Sequence, residues 1–218
     1  GLYEITTITS DGTNETTETV YVYVDKTAPT VNSTNTKTTN KITVQANAVD
    51  EDSGLQTVTY EIKKGDTVIA TNTTGKFTQL EDDTEYTITI IATDKAGNTT
   101  TDIQKIKTNK LVPGSLTFIE DPSNTSFIPS ENIWINENVK TTLIPGNAGT
   151  TTYEVTSPDG TTKKYTTTQT IETVTGTYTV VLTTKDGTNT ETVNYTFNVD
   201  KIAPTVTYGT NGGTYTIP

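Results

Sequence analysis

The first 31 residues, "GLYEITTITSDGTNETTETVYVYVDKTAPTV", align without a gap on residues 176–206, "GTYTVVLTTKDGTNTETVNYTFNVDKIAPTV". The offset is 175 residues, and the matches include Gly1 with Gly176, Tyr3 with Tyr178, and Asp11-Gly12-Thr13-Asn14 with Asp186-Gly187-Thr188-Asn189. A gapless repeat of that length marks one structural unit written twice. Each copy alternates apolar and polar residues on both sides of an Asp-Gly turn, the pattern of a β-hairpin. A third, weaker copy lies between them in "EYTITIIATDKAGNTTTDIQKIKTNK", Glu85 to Lys110. Each copy is expected to be the closing hairpin of one β-sandwich. The middle copy differs from the outer two, so the chain alternates two domain types. The expected division is a closing hairpin of a preceding domain (1–25), a first whole sandwich (26–109), a second (110–200), and the first strand or strands of a following domain (201–218).

The segments between the copies carry the same period. In "KITVQANAV", Ile42, Val44, Ala46 and Ala48 fall on one face and Thr43, Gln45 and Asn47 on the other, which predicts a half-buried strand. Further strands are expected at "TVTYEIKK", "DTVIAT", "GKFTQL" and "EYTITIIAT", separated by Asp-Ser-Gly, Lys-Gly-Asp and Thr-Gly turns. In the second domain "TTYEVTSPDGTTKKYTTT" predicts a hairpin about Pro158-Asp159-Gly160, while three prolines in "PSNTSFIPSENIWINENVKTTLIPGNAG" are expected to interrupt or edge the strands there. No segment has helical periodicity. The predicted class is all-β, in tandem antiparallel sandwiches.

The residue inventory removes whole classes of function. Cys, His and Met are absent, so disulfides, soft-metal sites and imidazole catalysis are excluded. The formal net charge is -11 and the fifteen basic residues are all lysines, which leaves no dense basic face for nucleic acid. No apolar run approaches the roughly twenty residues that span a bilayer as a helix. Residue 1 is Gly, with no charged and then apolar leader after it, so the chain reads as a processed piece or a fragment. A Ser or Thr nucleophile would need a base other than His, and paired carboxylates need a cleft that small sandwiches rarely offer, so no enzyme is expected.

"LEDDTEYTITIIATDKAGNTT" resembles the sixth strand and following loop of fibronectin type III modules, in which a Leu precedes a corner Tyr by six residues, as Leu80 precedes Tyr86. With "VDKTAPTV" and "DSGL", the whole chain looks like the bacterial immunoglobulin-like repeats of secreted or wall-anchored surface proteins. The resemblance implies immunoglobulin-like sandwiches, an extracellular cell-surface location, and neighbouring repeats of the same chain as partners.

In such a sandwich the chain entry and the loops after the second and sixth strands meet at one end. That brings together Asp25, Asp50, Glu51 and Asp52 of "DEDSG", and Asp94 and Asn98 of "TDKAGN". They are candidate calcium ligands, because calcium takes six to eight hard oxygens. Asp200 repeats Asp25 at the next joint. Trp134, between Ile133 and Ile135, is expected to pack against a core or a domain seam. Asn14, Asn32, Asn72, Asn98, Asn124 and Asn194 begin N-x-S/T sequons, frequent by composition alone in an Asn- and Thr-rich chain. An isopeptide bond from Lys140 to Asn194 or Asn198 would need the pair on adjacent core strands. The expected role is a stalk, fibre or adhesin spacer. The alternatives are a module that binds a glycan or host protein, and a subunit of a self-assembling filament.

Overall fold

The computed structural model describes residues 1–206. Among them there are strands and turns and no helix, as the period-two pattern predicts. Two compact units are present, one of Gly1–Leu111 with Asp186–Asn189, the other of Val112–Lys185 with the chain from Thr190 onward.

The first unit begins with a hairpin of β1 (Leu2–Ser10) and β2 (Glu15–Tyr23), paired from Leu2 with Tyr23 to Ser10 with Glu15. Its turn is built by Asp11, whose Oδ1 accepts the amides of Thr13 at 2.9 Å and Asn14 at 2.7 Å. Those bonds hold the Asp11 carboxyl below the usual range.

After the linker come β3 (Thr30–Lys37), β4 (Lys41–Val49), β5 (Leu55–Lys64), β6 (Thr67–Asn72), β7 (Lys76–Thr78), β8 (Glu85–Asp94) and β9 (Thr99–Lys107). They form two antiparallel sheets, ordered β3-β4-β7 and β6-β5-β8-β9. The alternation in β4 and β8 turns Ile42, Val44, Tyr86, Ile88 and Ile90 inward, where they meet Tyr60, Ile62, Phe77 and Ile106. Burying an Ile of this kind stabilises by about 1.5–3 kcal/mol. The strand expected over "GKFTQL" stops at Thr78 because Gln79 takes φ 60°, outside the extended region. Leu80 and Tyr86 are both buried, and the Tyr86 hydroxyl accepts the Glu81 amide at 3.0 Å, pinning the crossover between the sheets.

The second unit has the same strand order with additions. Its strands are β10 (Ser115–Asp121), β11 (Ser126–Phe127), β12 (Trp134–Ile135), β13 (Asn138–Ile144), β14 (Thr150–Thr156), β15 (Thr162–Tyr165), β16 (Gln169–Ile171), β17 (Gly176–Asp186) and β18 (Asn189–Val199). The sheets are β11-β10-β13-β16 and β12-β18-β17-β14-β15. The proline-rich stretch contributes only β11 and β12, each two residues long, with β12 parallel to β18. The core holds Phe118, Val139, Tyr153, Tyr178, Leu182, Phe197 and Val199, and the rings of Tyr178 and Phe197 stack 5.3 Å apart. Here too a tyrosine fixes the crossover, Tyr178 accepting the Val174 amide at 2.9 Å. Residues 201–206 form no strand, and the remainder of the strand expected over 201–218 lies outside the described residues.

Candidate metal centre

Three carboxylates converge in the first unit. Asp25 follows β2, Asp50 follows β4, and Asp94 ends β8, each offering one oxygen within 4.8 Å of the others. They are the one such acidic group of three or more among the described residues. Three separate turns place them. Asp50 Oδ1 accepts the amides of Ser53 at 2.9 Å and Gly54 at 2.7 Å and the Ser53 hydroxyl at 3.3 Å, so the first residue of "DEDSG" closes its own loop. Asp94 Oδ1 accepts the Asn98 amide at 2.8 Å across the β8–β9 turn, and Oδ2 accepts Asn98 Nδ2 at 2.8 Å. Asp25 Oδ1 accepts the Thr27 amide at 2.8 Å.

The other oxygen of Asp25, Oδ2, is buried and accepts no hydrogen bond. Asp94 is fully buried, and Asp25 and Asp50 are half-buried. No lysine forms an ion pair with any of the three among the described residues. A buried oxygen without a partner among like charges is unfavourable unless a cation joins it. The Ser53 hydroxyl nearby, though it bonds Asp50, and the Thr27 amide bound to Oδ1 hold the Asp25 carboxyl below its ordinary range, so it stays ionised at neutral pH. An all-oxygen, anionic set of this kind suits a hard divalent cation. Carboxylates, carbonyls and water are what calcium takes.

The six residues singled out in the sequence divide. Asp25, Asp50 and Asp94 form the cluster; Glu51 and Asp52 are exposed and stand outside it. The Asp50 carboxylate closes the loop inward, which turns the next two side chains to the surface. Asn98 directs its side-chain NH2 to Asp94, to the Asp25 carbonyl at 3.3 Å and to the Thr27 carbonyl at 3.2 Å, so it clamps the linker onto the β8–β9 turn. Ser53 and Thr27 were not legible as site residues; Ser53 sits in "DSG", a signal indistinguishable from any turn. A pocket of about 350 Å³ beside the cluster is lined by Asp25, Asp52, Ser53 and Lys95 together with Leu2 and Tyr23. At the second joint, Asp200 Oδ1 accepts the Ile202 amide at 2.9 Å, repeating the Asp25–Thr27 turn.

Trp134 is 64% exposed rather than packed in the core, because the short β12 turns Ile135 inward and its neighbour outward. Lys140 lies exposed on β13, while Asn198 accepts the Thr177 hydroxyl at 2.8 Å and donates to the Glu131 carbonyl at 2.7 Å. Neither arrangement prepares an isopeptide bond.

No family model matches the chain, and no curated protein matches it. Solved structures similar to it include a calcium-stabilised adhesin that helps an Antarctic bacterium reach out and bind ice, at 17% identity over 91% of this chain and 57% of that one, TM-score 0.38. A tetra-tandem repeat from the extending region of a large adhesion protein is 18% identical over 92% of this chain and 57% of that one, TM-score 0.33. Fibronectin(III)-like modules of Clostridium thermocellum CbhA are 15% identical over 83% of this chain and all of that one, TM-score 0.29. The chain spans a little over half the length of the first two.

Proposed function

We propose that this chain is a structural segment of a repetitive extracellular surface protein, a stalk or adhesin spacer. In it, two types of immunoglobulin-like sandwich alternate with a 175-residue period, and calcium locks the joint between modules. The observation that carries this reading is the convergence of the linker residue Asp25 with Asp50 and Asp94 within 4.8 Å. A cation held there ties the strand that leaves one hairpin to two loops of the next sandwich, and so converts a linker into a rigid joint. The repetition of the Asp turn at Asp200 supports joints of one kind along an array. The polar, Thr-rich outer faces suit a long exposed stalk. Asp25 and Asp50 supply ligands from the two sides of the joint, and Asp94 supplies one from the closing hairpin. Asn98 holds the linker in register.

The test is a calcium titration followed by NMR. Amides of Asp25, Asp50, Asp94 and Asn98 shift together and saturate with Kd on the order of 10⁻⁴–10⁻³ M, the range of extracellular calcium modules. Unmoved amides at millimolar calcium would refute the locked joint.

A second reading, a binding module, rests on one feature of the second unit. Leu116, Phe118, Phe127, Ile128 and Tyr195 line an apolar groove of about 610 Å³. A spacer predicts no ligand affinity there, so saturable binding of a defined glycan or host protein that F127A abolishes would favour this reading instead.

A further inference from the structure

The hairpin β1–β2 carries the apolar face of a sandwich core, yet it lies in the open. In the second copy of the repeat, Tyr178 and Val180 on β17 and Phe197 on β18 are at most 1% exposed, and Tyr195 packs against the same core. The positions 175 residues earlier are Tyr3, Ile5, Val22 and Val20, which are 58%, 54%, 39% and 52% exposed. Tyr3 pairs with Val22 and Ile5 with Val20, so the four share one face of the two-stranded sheet. A contiguous apolar face on an isolated hairpin is unstable as a free surface, and the β17–β18 copy shows what such a face packs against. There the opposing sheet brings Leu116, Phe118, Val139 and Ile171.

We propose that the Tyr3–Ile5–Val20–Val22 face is a docking surface for a second copy of the segment Val112–Thr175, the seven strands β10 to β16 and their loops, lacking only their closing hairpin. The occupant follows from the repeat, because a 31-residue gapless match preserves the length and the turn of the hairpin that this segment already covers. Tyr3 repeats Tyr178 and Ile5 stands for Val180, while Val22 and Val20 keep the apolar character of the face at a smaller size than Phe197 and Tyr195. The corner bond transfers as well. Tyr3 would accept the amide of the second copy's equivalent of Val174, as Tyr178 does at 2.9 Å. The inference shares the array with the function proposed above, but it does not depend on calcium.

The experiment adds a second Val112–Thr175 segment directly ahead of Gly1 of the full chain, so that Thr175 precedes Gly1 as it precedes Gly176. Hydrogen exchange is then read at the amides of β1 and β2. Protection is expected to rise at least about 100-fold over the unextended chain, toward that of β17 and β18. Ile5→Asp in the extended chain should return it to the starting value, while a scrambled extension of equal length should leave it unchanged. Unaltered protection with the native extension would overturn the assignment. So would dimerisation of the unextended chain that Ile5→Asp abolishes, which would make the face an interface between whole copies. Failure here with calcium binding intact would leave the metal-locked joint standing.

Discussion

The side-chain amide of Asn98 donates to the backbone carbonyl of Asp25 at 3.3 Å, across 73 residues of sequence. A turn in a closing hairpin thereby holds the linker that enters the same sandwich. The same NH2 group reaches Asp94 Oδ2 at 2.8 Å, so one side chain organises both the peptide and a carboxylate of the candidate metal centre. Asn98→Ala removes these bonds and should lower stability by about 1–2 kcal/mol. Chemical denaturation of the two proteins in parallel checks this, and an unchanged midpoint would count against the clamp.

Acid should weaken the same joint. The Asp25 carboxyl is lowered from an ordinary value of 3.8 by the Ser53 hydroxyl and the Thr27 amide. A carboxyl depressed in the folded state contributes stability that is fully present above the unfolded value and is lost as pH falls through the folded one. Stability should therefore decline below about pH 4. In Asp25→Asn the part of that decline due to this group should disappear, and thermal melts at pH 3 and pH 6 measure the difference.

Much of this fold was legible from alternation. β4 follows the period so closely that Ile42 and Val44 could be placed on one face from sequence, and the strand expected over "EYTITIIAT" stands as β8. The strand ends were not, because they depend on single backbone angles such as φ 60° at Gln79, which no periodicity encodes. The acidic end was legible as a region. Which of Asp50, Glu51 and Asp52 faces the cluster is decided by hydrogen bonds to Ser53 and Gly54, and the three acids look alike in the sequence. Trp134 stays out of the core of its own domain because the two-residue β12 has room to bury only Ile135 beside it.

Tyrosine corners should matter in both units. Tyr86→Phe leaves the Glu81 amide without its acceptor, and Tyr178→Phe does the same to Val174. Each substitution should cost about 1 kcal/mol or somewhat more. Two-dimensional NMR of each variant would localise the loss to the affected crossover; equal stability in both would remove the corner from the account.

Gly75 is the position where a small change should do most damage. It has φ +65°, and a Cβ there would lie 2.0 Å from the Val44 carbonyl oxygen and 3.1 Å from the Tyr60 ring. Gly75→Ala must therefore displace β4 or the β6–β7 loop, with an expected loss of about 3 kcal/mol or more. Urea unfolding of this variant beside Gly65→Ala separates clash from conformation, since Gly65 also has positive φ but open space around its Cβ position. Gly65→Ala should cost less.

The central claim is that a divalent cation joins Asp25, Asp50 and Asp94. Differential scanning calorimetry in calcium and in chelator tests it most directly, because a ligand bound only to the folded state raises stability in proportion to the logarithm of its concentration. The transition of the first unit should rise with calcium, at 100 times Kd by about 2.7 kcal/mol of added stability. Asp94→Asn should abolish the rise. Superimposable scans of the native chain in calcium and in chelator would contradict the account.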